Sequence, residues 1–210
     1  MTARTVHVDA ARLQRWVAGF TERHGPVDVA AADDAVRLVA ADGSQAALHV
    51  LFPPLPADGE SDPVVRLARH AAAERRTLVL LVRRGGYACA VVEGRRVTAS
   101  KVGSRYVQSR TAAGGWSQQR FARRREGQTR TLVQACAEVA TRLLVPQEAD
   151  TLVTGGDRPL VEQVLADPRL MGLSRLPRGP HLDVGDPRAD VVRALPERLH
   201  AVPIAIREIS

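Results

Sequence analysis

Residues 77–83, TLVLLVR, are the most hydrophobic run in the chain and constrain its fold more than any other stretch. Seven residues mixing leucine with β-branched valine and threonine suit a short central strand, buried on both faces. Gly85-Gly86 turns this run into YACAVVE (87–93), and Gly94 turns again into RVTASKV (96–102). Gly103 then opens SRYVQSRT (104–111). This spacing predicts successive antiparallel strands joined as hairpins.

The flanking segments supply the covering layers. Residues 9–24 place Leu13, Trp16, Val17 and Phe20 at helical spacing, with Asp9 as N-cap and Gly25-Pro26 as the stop. Residues 27–32, 35–41 and 46–52 read as a small β-meander, turned at Asp33-Asp34 and Asp42-Gly43. Pro53 to Pro63 reads as a surface loop, and 64–76 as a short helix. A longer helix is expected from about Arg120 to Leu144, with Leu132, Cys136, Val139 and Leu143 as its apolar stripe, ended by Pro146. Beyond it, 149–156 reads as strand and turn, 158–167 as helix, 181–185 as strand, 187–199 as helix and 202–208 as a last strand. Alternating strands and helices predict an α/β (α+β) fold, a mixed sheet flanked by helices and partly parallel in the second half. The expectation is one domain over 1–210: an N-terminal helix in 1–25, the meander and its helix in 27–76, and a core in 77–210.

Aromatic residues make up only 3% of the 210, so the core must be Val, Leu and Ala. The net charge of +7 favours a polyanionic partner, nucleic acid before membrane. Lys101 is the only lysine, a bias that a GC-rich genome would also give, so where the arginines stand matters more than their number. Cys89 and Cys136 stand alone in apolar settings as small core residues, with no CxxC. The six histidines are scattered without ligand spacing, so neither a metal nor a cofactor is expected. The N-terminus lacks a secretory apolar segment and no apolar run reaches membrane-spanning length, which predicts a cytoplasmic protein; a monomer is expected.

The chemistry concentrates in Gly103–Arg130, GSRYVQSRTAAGGWSQQRFARRREGQTR. Gly114-Gly115 frees the backbone, and Ser117 can cap the following helix. Gln118 and Gln119 offer neutral amides that both donate and accept. Arg120, Arg123, Arg124, Arg125 and Arg130 follow, and on a helix positions 120, 123, 124 and 127 share a face. Guanidinium forks and a helix N-terminus both suit phosphate oxygens. The stretch holds no His, Asp or Glu ahead of the arginines, so its tip can position water or stabilise an oxyanion but cannot act as a strong base.

This stretch resembles the Vms-like release factor (VLRF) family, in its actinobacterial stand-alone branch. These are peptidyl-tRNA hydrolases related to the catalytic middle domain of eukaryotic and archaeal release factors. The residues that carry the resemblance are Arg105-Tyr106, Arg110, Gly114-Gly115, Ser117 and Gln118; it extends more loosely from Leu78 to about Asp157. It implies the middle-domain fold and a catalytic loop at 111–119, with Gly114, Gly115, Trp116 and Ser117 leading to the catalytic glutamine. Trp116 and Ser117 separate the glycines from Gln118, and Gln119 follows at once, so the role falls to one of these two glutamines, Gln118 being the better register. The loop would enter the peptidyl-transferase centre of the large ribosomal subunit, position water at the ester of a stalled peptidyl-tRNA and release the nascent chain in ribosome quality control. Arg105, Tyr106, Arg110 and the arginines from 120 to 130 would bind ribosomal RNA.

Two other readings fit parts of the pattern. The same arginines would serve a ribosome- or RNA-binding module without catalysis. Gly115-Trp116-Ser117-Gln118-Gln119 also nearly matches the serine-hydrolase G-x-S-x-G, with Asp157 and His181 downstream in triad order, but the closing glycine is missing.

Overall fold

The computed structural model describes residues 2–57, 59–60, 62–104 and 116–209, the side chains of residues 2, 3 and 116–125 excepted. The fold is α+β, with two five-stranded sheets and flanking helices. The chain forms two units rather than the one expected from sequence: Met1–Glu74 with Pro196–Ser210, and Arg75–Leu195. Elements are numbered in chain order.

The first unit opens with β1 (Thr2–Asp9), a strand where a helix alone was expected within 1–25. The Asp9 carboxylate accepts the Ala11 N–H at 2.9 Å and starts a helical turn that leads into α1 (Leu13–His24). Gly25, at φ +84°, ends α1 in a backbone state that side-chained residues avoid. Strands β2 (Val27–Ala31), β3 (Ala35–Ala40) and β4 (Gln45–His49) form the expected meander. In α2 (Pro63–Ala72) proline takes the first turn, and Asp62 caps it by accepting the N–H of Val64 at 2.7 Å and of Val65 at 3.2 Å. The last strand of the chain, β10 (Ala201–Glu208), inserts between β1 and β4, giving the antiparallel order β1-β10-β4-β3-β2. Val36, Leu38, Leu48, Val202, Ile204 and Ile206 bury one face of this sheet against Leu13, Phe20 and Leu67 of the helices. Each such side chain contributes about 1.5–3 kcal/mol.

The second unit begins with β5 (Arg76–Arg83), β6 (Gly86–Glu93) and β7 (Arg96–Ser104). It continues with α3 (Trp116–Leu143), β8 (Thr151–Gly156), α4 (Arg158–Leu165), α5 (Met171–Ser174), β9 (Arg178–Leu182) and α6 (Ala189–Arg193). The sheet order is β7-β6-β5-β8-β9, with β5 central, antiparallel to β6 and parallel to β8. All of Thr77–Val82 is buried, as the apolar run predicts. Leu78, Leu80 and Val82 share a core with Leu132, Cys136, Val139 and Leu144 around α3 and with Leu160, Val161 and Val164 of α4. Val79 and Leu81, on the other face, are equally buried. The helix expected over 187–199 breaks after Arg193 and resumes at Leu195, next to Pro196, which has no N–H to continue the ladder.

Candidate functional site

The strand register gathers several chain segments at one end of the second sheet. β7 ends at Ser104 opposite Gly86, Gly86 faces Arg83 across the β5–β6 turn, and Val82 faces Gly156 of β8. The segment expected to carry the catalytic glutamine leaves β7 from this end. Its root is fixed by close packing. A Cβ on Gly103 would overlap the Tyr87 ring, and one on Gly86 would stand 2.6 Å from the Gly103 carbonyl oxygen. Tyr87 is buried in the same core as Leu132, so the ring has no free volume to move into. From sequence alone Gly103 reads only as the opening of a strand. A glycine inside a strand pattern, two residues from the only lysine, was the signal that another group comes close there.

Among the expected site residues, Arg105, Tyr106, Arg110, Gly114 and Gly115 lie outside the described residues, as does the strand expected over 105–111. Trp116, Ser117, Gln118, Gln119, Arg120, Arg123, Arg124 and Arg125 are described by their backbone alone, and all are helical. Positions 116–119 are thus helical, ahead of the start expected near Arg120, and the rest of the loop expected over 111–119 lies outside the described residues. The segment Trp-Ser-Gln-Gln has no apolar period, so nothing in its pattern marked it as helix.

The helix has two zones. From Leu132 onward it presents buried side chains to the sheet, whereas Glu126, Arg130 and Thr131 are exposed. At 1.5 Å per residue, Gln118 stands about 21 Å along the axis from Leu132. Gly127 shares the face of positions 120, 123 and 124, and a Cβ added there would meet nothing within 4 Å. That face is open where it is described.

Among the described residues His181 and Asp157 do not form the acid–base pair a serine hydrolase needs. His181 Nδ1 lies 3.0 Å from Thr154 Oγ1, and its Nε2 lies 3.1 Å from the Gly156 carbonyl oxygen. The carbonyl accepts from Nε2–H, which leaves Nδ1 to accept the threonine hydroxyl, so both nitrogens are spent. Asp157, which would have to orient this ring, instead caps α4 by accepting the Leu160 N–H at 3.3 Å. The cysteines are buried between β6 and α3, as expected. The Cys89 thiol, through its hydrogen bond, and burial both push the Cys136 thiol up, so Cys136 stays protonated and is no nucleophile. Among the described residues no group of His, Cys, Asp or Glu is arranged to hold a metal ion.

The profile of the actinobacterial and chloroflexi VLRF1 release factors matches residues 75–205, more than half of the chain. The chain belongs to this family. The match opens at Arg75, the first residue of the second unit, and spans that unit entirely. No curated protein matches the chain. No described helix of this VLRF1-type release factor is long and apolar enough to cross a membrane. Its charge follows the same boundary. The second unit holds 21 of the 30 basic residues and 11 of the 23 acidic ones, a net +10. The first unit holds 9 and 12, a net −3.

Proposed function

We propose that this release factor is a peptidyl-tRNA hydrolase that frees nascent chains from stalled large ribosomal subunits in the cytoplasm, as part of ribosome quality control. The single observation that carries this reading is that the family match covers α3, which runs on to Gln118 about 21 Å along the axis from Leu132, the first buried residue among the helix side chains described. N–H donors held by a fold stabilise developing negative charge, as on the oxyanion of a tetrahedral ester intermediate. In this reading the Gln118 N–H holds the oxyanion while its side-chain amide orients the attacking water. The proton lost by water passes to the leaving 3′-oxygen of the tRNA, because the chain offers no strong base there. Gly114 and Gly115 give the approach its freedom. Arg105, Tyr106, Arg110, Arg120, Arg123, Arg124, Arg125 and Arg130 hold ribosomal RNA phosphates. The register of the family pattern favours Gln118 over Gln119.

The experiment is single-turnover release from large subunits bearing a labelled peptidyl-tRNA, with binding followed by co-sedimentation. Gln118→Ala is expected to keep binding and to lower release about 10²–10³-fold, the usual cost of losing one oxyanion or positioning group. Gln119→Ala is expected to cost much less. Equal release by Gln118→Ala and wild type would leave only an RNA-binding role for the loop.

A further inference from the structure

The first unit carries residues 1–74, which the family match does not cover, and it lacks the positive charge of the second. Its sheet ends on one side at β2, and no described strand pairs beyond that edge. Two hydrogen bonds fix which of its main-chain groups are free. The Ala32 N–H donates to the Ala35 carbonyl at 2.9 Å, and the Pro26 carbonyl accepts from the Ala41 N–H at 3.0 Å. Bonded residues alternate along an antiparallel ladder. Asp28 and Ala30 therefore turn their backbone groups toward β3, while Val27, Val29 and Ala31 turn theirs outward. The ladder runs over five residue pairs without a register shift, so these three N–H and C=O sets stand in line.

Exposed edges of this kind are normally blunted by a lysine, a proline or a bulge. β2, with the sequence VDVAA, has none of these, and Val29 is 40% exposed. What it has is acid. Asp28 lies on the strand, and Asp33 and Asp34 follow at the turn, all exposed. Arg37 stands 3.8 Å from Asp34 and is itself solvated, so it leaves the acidic character of the edge in place. Phosphate backbones are repelled by such an edge. A second copy pairing β2 with β2 would bring the aspartates of both copies together. An extended chain with cationic side chains opposite Asp28 and apolar ones opposite Val29 satisfies both the backbone and the charge.

We propose that β2 is a docking edge at which an extended, basic protein segment adds as a further strand. This role is separate from the release reaction and does not depend on it. Cross-strand pairs lie on one face, so the fitting pattern alternates Lys or Arg with Val or Ile.

The test uses the full chain with three fluorescent probes: a short Lys/Val alternating peptide, its Glu/Val counterpart and a single-stranded RNA. Anisotropy gives affinity, and amide exchange gives the site. The Lys/Val peptide is expected to bind and to slow exchange at Val27, Val29 and Ala31. Val29→Pro removes an outward donor and leaves the β2–β3 bonds in place. It is expected to weaken binding about tenfold, the worth of one to two net hydrogen bonds. Should Val29→Pro unfold the first unit, Asp28→Lys with Asp33→Lys decides the matter, since both side chains are exposed and the pair should abolish binding at moderate salt. The proposal is overturned if exchange on β2 is untouched by the Lys/Val peptide, if the charge reversals bind it as wild type does, or if the RNA or the Glu/Val peptide protects the same amides.

Discussion

Gly103→Ala tests whether the root of the release loop is held by its close packing on Tyr87. The added Cβ would overlap the Tyr87 ring at Cζ, Oη and Cε1. Tyr87 is only 7% exposed and shares its core with Leu132 and Cys136, so the ring cannot step aside without moving α3 or β6. Overpacking of this sort costs about 1–3 kcal/mol. Alanine narrows the unfolded ensemble relative to glycine and returns about 0.4–1 kcal/mol. The steric term wins, and a net loss of about 1–2 kcal/mol is expected. The two units make a single global transition a poor readout, so amide exchange on β5 and β6 is the better assay. Protected amides such as that of Leu80 should exchange about 5–30 times faster, the factor that one to two kcal/mol corresponds to. Tyr87→Leu in the Gly103→Ala background should recover part of the loss, because the clash leaves with the ring. Unchanged protection in Gly103→Ala, or strictly additive costs in the double variant, would refute the reasoning.

Three further outcomes are expected. Replacing Arg120, Arg123, Arg124 and Arg125 with glutamine should flatten the salt dependence of ribosome binding, lowering the slope of log K against log salt by about 0.7–0.9 for each phosphate that is no longer neutralised. Titration of large subunits at several salt concentrations measures this, and an unchanged slope would remove those arginines from the interface. Asp167 is held at about 2 by the side chain and then the backbone N–H of Arg169, below its ordinary 3.8. A depressed carboxylate stabilises the fold above its unfolded pKa and loses that contribution as pH falls through the folded one. Acid unfolding of Asp167→Asn should therefore be flatter than wild type between about pH 4 and pH 2; identical acid limbs would count against the pairing. Because His181 and Asp157 are spent elsewhere, fluorophosphonate should leave Ser117 unlabelled under conditions where release proceeds, as intact mass would show.

The sequence was most readable where one residue pattern admits one physical solution. Thr77–Val82 could only be a strand covered on both sides, and it is the middle of the second sheet. The meander was legible through its turn residues, Asp33-Asp34 and Asp42-Gly43, and α2 through Asp62-Pro63. β10 shows the limit. Its alternation, with Val202, Ile204 and Ile206 inward, announces a half-buried strand but cannot say which sheet buries it. The partners β1 and β4 are more than 150 residues away in sequence, and pairing at that distance leaves no local trace. β1 itself, TARTVHVD, buries little, and the helix behind it carries the clearer period. At the candidate site residue types suggest a chemistry, but the helical state of the glutamine segment left no mark: Trp-Ser-Gln-Gln carries no apolar period, and hydrophobic period is the signal by which helices are found in sequence.

The division of charge gives the two units different physical tasks. Over the whole chain +7 is a moderate value, but it is the sum of +10 in the second unit and −3 in the first. Screening limits such fields to about 8 Å at physiological ionic strength, so RNA approaching either unit senses the local charge and not the total. On charge alone, phosphate is favoured by the unit whose α3 carries the arginines and disfavoured by the unit that ends at β2. The family profile breaks at Arg75, where the charge also changes sign. In the proposed reading the loop works against RNA, and the basic unit is the one that the family profile covers in full. An accessory unit that also attracted RNA would add non-specific binding without register, since phosphate contacts position a protein but carry no sequence information. An acidic edge avoids that competition and leaves the first unit free to engage protein.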